Sequence, residues 1–170
     1  MATIKTAAEL LAALAAATPT NPITPEMLED FVESQGVGGI MRGKNQPLPV
    51  TTSWAAFSAF SESVDTKGID GDPATGQFDV LAGGDGMHII DASIEVKSPG
   101  AGWVEIAIAK NGTTLVDFAK VNLVANEEAT MCIASGGMYE AGDTYGLAIR
   151  ASANATITLS NGQLRGFRAR

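Results

Sequence analysis

The most constraining feature of the sequence is a pair of alternating runs near its centre, residues 86–97 and 103–110. In the first run apolar residues alternate with polar ones from Ile90 to Val96, and successive side chains of a strand point to opposite faces of a sheet. The second run alternates in the same way, and Pro99-Gly100 between the runs supplies the backbone angles of a reversal. The two runs therefore predict an antiparallel hairpin with one buried face.

Signals of chain reversal recur after this hairpin. Asn111-Gly112 follows the second run directly, and both residues tolerate the positive φ of a type I′ turn. A break is expected at Ser135-Gly-Gly137 and a further turn at Asn161-Gly162. Between them, short alternating runs predict further strands at residues 115–124, 130–134, 144–150, 155–160 and 163–170. Eight or more short strands at nearly regular spacing favour an antiparallel sandwich or barrel.

The N-terminal part of the chain has a helical pattern instead. Residues 6–17 are rich in Ala and Leu, and residues 24–35 begin with Thr-Pro-Glu, which is a signal for a helix start. Helices this short are not stable alone in water. Residues 1–35 are therefore predicted to be an arm that docks on its own domain, on another copy or on a foreign surface. Its apolar stripes are formed by Leu10, Leu11, Leu14, Met27, Leu28, Phe31 and Val32.

The segment between the arm and the strands has no periodicity. Residues 36–50 are rich in glycine and proline, which predicts a linker. The chain is thus divided into an arm (1–35), a linker (36–50) and a β domain (51–170). The single cysteine, Cys132, has no partner for an internal disulfide, and its apolar neighbours predict that it is buried.

Composition excludes several classes of function. A formal charge of −8 with only 11 Lys and Arg residues argues against binding to nucleic acid. The longest apolar stretches are too short for a membrane span, and the start of the chain lacks the basic head of a signal peptide. The expected partners therefore include neither nucleic acid nor a membrane.

Catalytic chemistry is not predicted either. The chain has one histidine, His88, and no serine or cysteine motif lies near it in sequence, so no catalytic triad of the familiar kind is expected. Asp65, Asp70 and Asp72 could surround a cation, but their loop lacks the spacing and the closing glutamate of a calcium loop. We therefore predict a solvated turn at these residues, and neither a metal nor a cofactor.

Large apolar side chains also fall on the face opposite the predicted core. Met87, Ile89 and Trp103 occupy positions where a monomeric sheet should carry polar residues. Contact with a partner would cover them, so they are predicted to form an interface between copies, together with Phe118 and Tyr145. In the alternative, a bend or a bulge changes the alternation and places them in the core.

Six short motifs follow one another along residues 51–170. They are Ala56-Phe-Ser-Ala59, Ala74-Thr-Gly-Gln-Phe78, Gly86-Met-His88, Lys110-Asn-Gly112, Glu140-Ala-Gly-Asp143 and Leu164-Arg-Gly-Phe167. The ordered set resembles the jelly rolls of complement-type globular heads and the tumour necrosis factor (TNF) superfamily. The glycine-x-tyrosine that is usual in the family appears here as Gly86-Met-His88, after an unusual Gly-Gly-Asp insertion. The resemblance implies a mainly β, antiparallel, ten-stranded jelly roll that forms homotrimers.

A second resemblance concerns the arm. Residues 23–33, after the Ala- and Leu-rich segment, are similar to the leader of many tailed-phage virion proteins, including head fibres, decoration proteins and tail fibres. This resemblance implies a structural virion protein, made in the host cytoplasm and fastened to the capsid surface through its arm.

Three functions are compatible with these features. The prediction is a trimeric decoration protein that cements the capsid and binds the major capsid protein or another virion protein. The alternative is a receptor- or glycan-binding head of a tail fibre or other virion fibre, using the loops at 65–76 and 135–143. A secreted lectin-like domain is a third possibility, which the missing signal sequence disfavours.

Overall fold

The computed structural model describes residues 38–66 and 68–169, and within them the chain forms strands and turns without a helix. The strands are β1 (Gly38–Val50), β2 (Ala55–Ala56), β3 (Glu62–Asp65), β4 (Ile69–Asp72), β5 (Gln77–Val80), β6 (Gly86–Lys97), β7 (Gly102–Lys110), β8 (Thr114–Leu123), β9 (Glu128–Tyr139), β10 (Thr144–Ala151) and β11 (Ala155–Arg168). The predicted arm, with Leu10, Leu11, Leu14, Met27, Leu28, Phe31 and Val32, lies outside the described residues.

The strands form two antiparallel sheets. The first sheet has the order β3-β1-β11-β6-β9, and the second has the order β4-β5-β10-β7-β8, with β2 paired to β10. Neighbours such as β1 and β11 lie far apart in sequence, as they do in jelly rolls. The predicted mainly β, antiparallel fold class is therefore confirmed.

The central hairpin follows its sequence pattern. In β6, alternate residues from His88 to Val96 point into the core, and the residues between them point outward. Asn111 and Gly112 have φ angles of 52° and 67°, so both central residues of the reversal after β7 have the positive φ of a type I′ turn. The predicted turn is confirmed.

The predicted linker at 36–50 is wrong, because residues 38–50 form the long strand β1. This strand pairs with β11 from Gly38 to Val50, and with β3 only over Gly39–Arg42. Pro47 and Pro49 lie beyond β3, at an open edge where the missing proline N–H leaves no ladder bond unmade. The compact body therefore begins at Gly38 and not at residue 51.

Two expected interruptions are also absent. β9 continues through Ser135-Gly-Gly137, because these residues keep their pairing with β6 up to Tyr139. Asn161-Gly162 lies within β11, where the irregularity is a bulge between Leu159 and Asn161. The closing part of the first sheet is thus longer and more continuous than predicted.

The core lies between the inner faces of the two sheets and is mainly aliphatic. Its largest fully buried side chains are Met41, Leu48, Phe57, Phe78, Ile90, Ile94, Ile106, Ile108, Tyr145, Leu147, Ile149 and Ile157. Burial of each such side chain stabilises the fold by about 1.5–3 kcal/mol before the cost of ordering the chain. This core fixes which side chains of each sheet must face outward.

Candidate interaction surface

The outward face of the first sheet carries a band of apolar side chains at one end. The band crosses all five strands and consists of Val64 (β3), Ile40 (β1), Phe167 (β11), Met87 and Ile89 (β6) and Met138 (β9). Ile40 is half-buried, and the other five side chains are between 38% and 66% exposed. We call this band the apolar strip.

The strand register joins the apolar strip in pairs, and Ile40 lies diagonally across from Phe167, because the direct β11 partner of Ile40 is Arg165. Ile40 is the register partner of Val64, Phe167 is the partner of Ile89, and Met87 is the partner of Met138. Partners across antiparallel strands point to the same face with Cβ atoms about 5 Å apart. Scattered exposed apolar residues need no explanation, but a contiguous band marks an interaction site.

Beyond the apolar strip the same face becomes polar. The Arg165 and Asp91 side chains form an ion pair at the boundary, with Nη2 2.6 Å from Oδ1. One shallow hollow of about 440 Å³ adjoins this pair and has a mixed lining. A second, of about 360 Å³, lies past the pair and is lined mainly by polar side chains such as Arg42, Glu95 and Gln163. The face is thus divided into an apolar end and a hydrogen-bonding remainder.

Cys132 lies in this polar part of the face. It is exposed, and its Sγ atom is 3.6 Å from the Ser93 Oγ atom. The prediction that it is buried is wrong. Along β9, Met131 and Ile133 take the two neighbouring inward positions, so strand alternation turns Cys132 outward.

The five side chains predicted to form one trimer interface do not share one surface. Met87 and Ile89 belong to the apolar strip, whereas Trp103 and Phe118 project from the outward face of the second sheet. Tyr145 is fully buried in the core, so its assignment to an outer face is wrong. Its strand, β10, places it on the same inward side as Leu147 and Ile149, because residues two and four apart in a strand point to one face.

Two of the four strip residues that sequence reasoning missed lie in segments whose strands were misjudged. Ile40 lay in the predicted linker, and Met138 directly follows the predicted break at Ser135-Gly-Gly137, outside any predicted strand. Phe167 was within a predicted strand, and its spacing of three from the inward Leu164 was a usable signal for an outward position. Val64 had no comparable signal, because β3 has only four residues.

The outward face of the second sheet has its own cluster of aromatic and basic side chains. The Lys120 Nζ atom lies 4.1 Å from the Trp103 ring centroid, and the Arg150 guanidinium lies 4.7 Å from that of Trp54. Trp54 also contacts Phe118, with ring centroids 5.7 Å apart. Cation–π contacts and aromatic pairs of this kind fix the Trp54 ring in place.

A pocket of about 270 Å³ opens beside Trp54. Its floor is formed by small residues of the two central strands, Ala109, Gly146 and Ala148, and Leu115 closes another side. The Gln77 and Thr113 side chains supply polar groups at its lining. A concave apolar site with a few polar groups is the usual form of a small-ligand site.

A cluster of three rings lies in the core beneath the apolar strip. The His88 centroid is 5.4 Å from that of Tyr139 and 5.7 Å from that of Tyr145. Burial lowers the pKa of His88 and raises the pKa of both tyrosines. The Tyr145 hydroxyl lies where a Cβ on Gly166 would be, so this packing requires glycine there.

Charged and polar side chains join the turn after β7 to the turn before β10. The Lys110 Nζ atom is 2.7 Å from Asp143 Oδ2, and the Asn111 side-chain amide donates to Asp143 Oδ1 at 2.8 Å. These hydrogen bonds lower the pKa of Asp143 from 3.8 to about 2. The motifs Lys110-Asn-Gly112 and Glu140-Ala-Gly-Asp143 therefore meet in space and hold two reversals together.

Two of the three carboxylates that were considered for a cation, those of Asp65 and Asp72, accept hydrogen bonds from their own loop. Asp65 accepts hydrogen bonds from the Ser63 hydroxyl at 2.7 Å and from the Gly71 N–H at 3.0 Å. Asp72 accepts one from the Ala74 N–H at 2.9 Å. Over residues 38–66 and 68–169, no group of three potential ligands is arranged to hold a metal ion.

The part of the chain that the structure describes contains no helix that is long and apolar enough to cross a lipid bilayer.

Sequence comparison finds no relative: no family model matches the chain, and no curated protein does. Solved structures are nevertheless similar in fold. Eiger TNF from S. frugiperda superposes with a TM-score of 0.58 and 11% identity, covering 79% of this chain and 94% of that one. Murine APRIL superposes with a TM-score of 0.53 and 11% identity, covering 78% of this chain and 99% of that one.

The globular domain of zebrafish complement 1qA protein gives a TM-score of 0.58 and 9% identity, covering 79% of this chain and 98% of that one. The predicted likeness to TNF and complement-type jelly rolls is thereby confirmed at the level of the fold. Identities this low show a shared fold alone, because one fold serves many functions.

Proposed function

We propose that this protein is a structural virion protein, a homotrimeric jelly roll that decorates and cements a tailed-phage capsid. The observation that carries self-association is the apolar strip, which spans all five strands of the first sheet. An apolar band of this kind in water is stabilised by contact with another apolar surface, and the strips of other copies are such surfaces. The number of copies, three, rests on the likeness to the TNF and complement-type fold.

Capsid attachment is assigned to residues 1–35. This segment carries seven apolar side chains at helical spacing and resembles the leader of tailed-phage virion proteins. An arm that binds only the assembled shell stabilises that shell by mass action. Three arms on one trimer bind together with a higher effective concentration than one arm alone.

The proposed role is mechanical and needs neither catalysis nor a cofactor. The partners are other copies of the chain and the major capsid protein or another virion protein. The protein is made in the host cytoplasm and resides on the capsid surface. Its net charge of −8 keeps free copies soluble before they reach the shell.

The test combines sedimentation with a shell-binding assay. We expect the full chain to sediment as a trimer and to co-sediment with empty capsids that lack it. A variant without residues 1–35 keeps the whole body from Gly38 onward, and we expect it to remain trimeric but to lose shell binding. Shell binding by the truncated variant refutes the assignment of capsid attachment to residues 1–35. A full chain that is monomeric refutes self-association.

A second candidate is a receptor- or glycan-binding head of a virion fibre, which the pocket beside Trp54 favours. Aromatic side chains bind the apolar faces of sugar rings, and the polar Gln77 and Thr113 groups could bind hydroxyls. The test is a glycan array with the wild type and a Trp54→Ala variant, with Val124→Ala as a control, since Val124 is exposed and does not line the pocket. A signal that is lost only with Trp54→Ala supports the binding head.

A further inference from the structure

The only histidine of the chain lies directly beneath the apolar strip. The His88 side chain is fully buried on the inner side of β6. Its neighbours in sequence, Met87 and Ile89, point outward and form part of the apolar strip. One three-residue segment therefore carries both a titratable core group and two proposed contact residues.

The surroundings of the His88 ring favour the neutral form. The Nε2 atom lies 2.7 Å from the Gly84 carbonyl oxygen, which can only accept, so Nε2 carries the proton. The Nδ1 atom is buried, and among the described residues it has no hydrogen-bond partner. A second proton would therefore sit on Nδ1 without an acceptor, in a pocket of aromatic rings.

The charged and titratable groups around the ring give little compensation. They are Arg168 on β11, Asp85 in the loop before β6, Tyr139 on β9 and Tyr145 on β10, with Lys110 of β7 on the Tyr139 ring. Arg168 opposes a second positive charge and Asp85 favours it. The Asp85 carboxylate already accepts from the Ala141 N–H at 2.7 Å. Burial is the largest influence and opposes charging.

The His88 contact also holds the loop that leads into β6. Besides the bond to Gly84, the loop is held by the Arg168 guanidinium, which donates to the Gly83 carbonyl at 2.8 Å and to the Asp85 carbonyl at 3.2 Å. The bond from His88 is thus the contact of this loop that depends on the protonation state of the ring, and its loss leaves Gly84 and the start of β6 held by the Arg168 bonds, the Asp85 contact with Ala141 and the pairing with β9.

We propose that acidification displaces protonated His88 from the core, frays the start of β6 and thereby weakens self-association through the apolar strip. This inference rests on the proposed self-association. The direction of the pH dependence follows from proton linkage, because the unfolded or displaced imidazole binds a proton more readily than the buried one. Assembly is therefore complete above about pH 6.5, the ordinary value for histidine, and weakens as the pH falls below it.

The experiment follows the full chain by sedimentation and by NMR of its single imidazole, at several pH values between 8 and 5.5. This window lies above the titration of ordinary carboxylates. The association constant should be constant from pH 8 to about 6.5 and should then fall, approaching tenfold per pH unit for each chain that takes up one proton on release. The variants His88→Gln and His88→Phe, which do not titrate, should keep the same association throughout.

The outcomes separate this inference from the proposal on which it rests. A wild type that is monomeric at pH 8 refutes self-association. A wild type that associates equally at pH 8 and pH 5.5 overturns the acid response and leaves self-association standing. An imidazole of the assembled wild type that titrates at 6.5 or above also overturns it, and this measurement does not require either variant to fold.

Discussion

Replacing two residues of the apolar strip should dissociate the protein without unfolding it. The variant Phe167→Ser/Met138→Ser removes side chains from β11 and β9 that are 43% and 66% exposed in the single chain. Both point away from the core, so the inner packing of the sandwich is unchanged. The same change at Phe118, which is 56% exposed on the second sheet, is the matched control.

The expected loss of association free energy follows from the fraction of each side chain that is exposed in the single chain and becomes covered in the trimer. Complete burial of a Phe or Met side chain contributes about 1.5–3 kcal/mol, so covering the exposed part contributes about 1 kcal/mol at Phe167 and about 1.5 kcal/mol at Met138. Three chains together lose about 7.5 kcal/mol when both side chains are fully covered, which is between about 10⁵- and 10⁶-fold in the association constant of the trimer. Incomplete coverage in the interface lowers this value.

Sedimentation velocity over a range of concentrations measures the effect, and circular dichroism with thermal unfolding checks that each variant is folded. We expect the double variant to be monomeric at concentrations where the wild type and Phe118→Ser are associated. Association of the double variant within about tenfold of the wild type would refute the assignment of the strip. Equal weakening by Phe118→Ser would move the interface to the second sheet.

Three further predictions concern the body. Gly166→Ala should destabilise folding by about 1–3 kcal/mol in urea unfolding, because the new methyl overlaps the Tyr145 hydroxyl. Gly100→Ala, which meets open space, should be nearly neutral, and equal effects would contradict the packing argument. Asp143 contributes stability above pH 3.8 that is lost as the pH falls toward 2, so the melting temperature of Asp143→Asn should change less over this range than that of the wild type. Cys132 should react with a maleimide more slowly in the assembled wild type than in the dissociated strip variant, and equal rates would place this part of the first sheet outside the interface.

Local pattern was sufficient for the elements whose partners are near in sequence. The alternation in β6 and β7 identified the inward side chains, and Asn111-Gly112 identified the turn, because each signal depends on neighbouring residues only. The same reasoning failed for β1. Its glycines and prolines signal a linker locally, but pairing with β11, more than a hundred residues away, makes it a strand.

The turn predicted at Asn161-Gly162 was wrong for a related reason. Its composition is that of a turn, but Gly162 faces the core, where a Cβ would come 2.9 Å from the Leu159 Cδ1 atom and 3.2 Å from the Ile94 Cδ1 atom. The glycine is therefore present for close packing and not for a reversal. A single sequence does not distinguish these two uses, because the space at Gly162 is set by how Leu159 of β11 and Ile94 of β6 pack in the core.

The apolar strip shows the same limit at the level of function. Its six residues come from five strands, and they become neighbours only through the order β3-β1-β11-β6-β9. The sequence placed Met87 and Ile89 outward, but it grouped them with Trp103 and Phe118, which the fold assigns to the other sheet. Alternation tells which side of its own sheet a residue faces, and strand order tells which residues share that side. A surface that binds another copy is defined by both, so it becomes visible only once the pairing of distant strands is known.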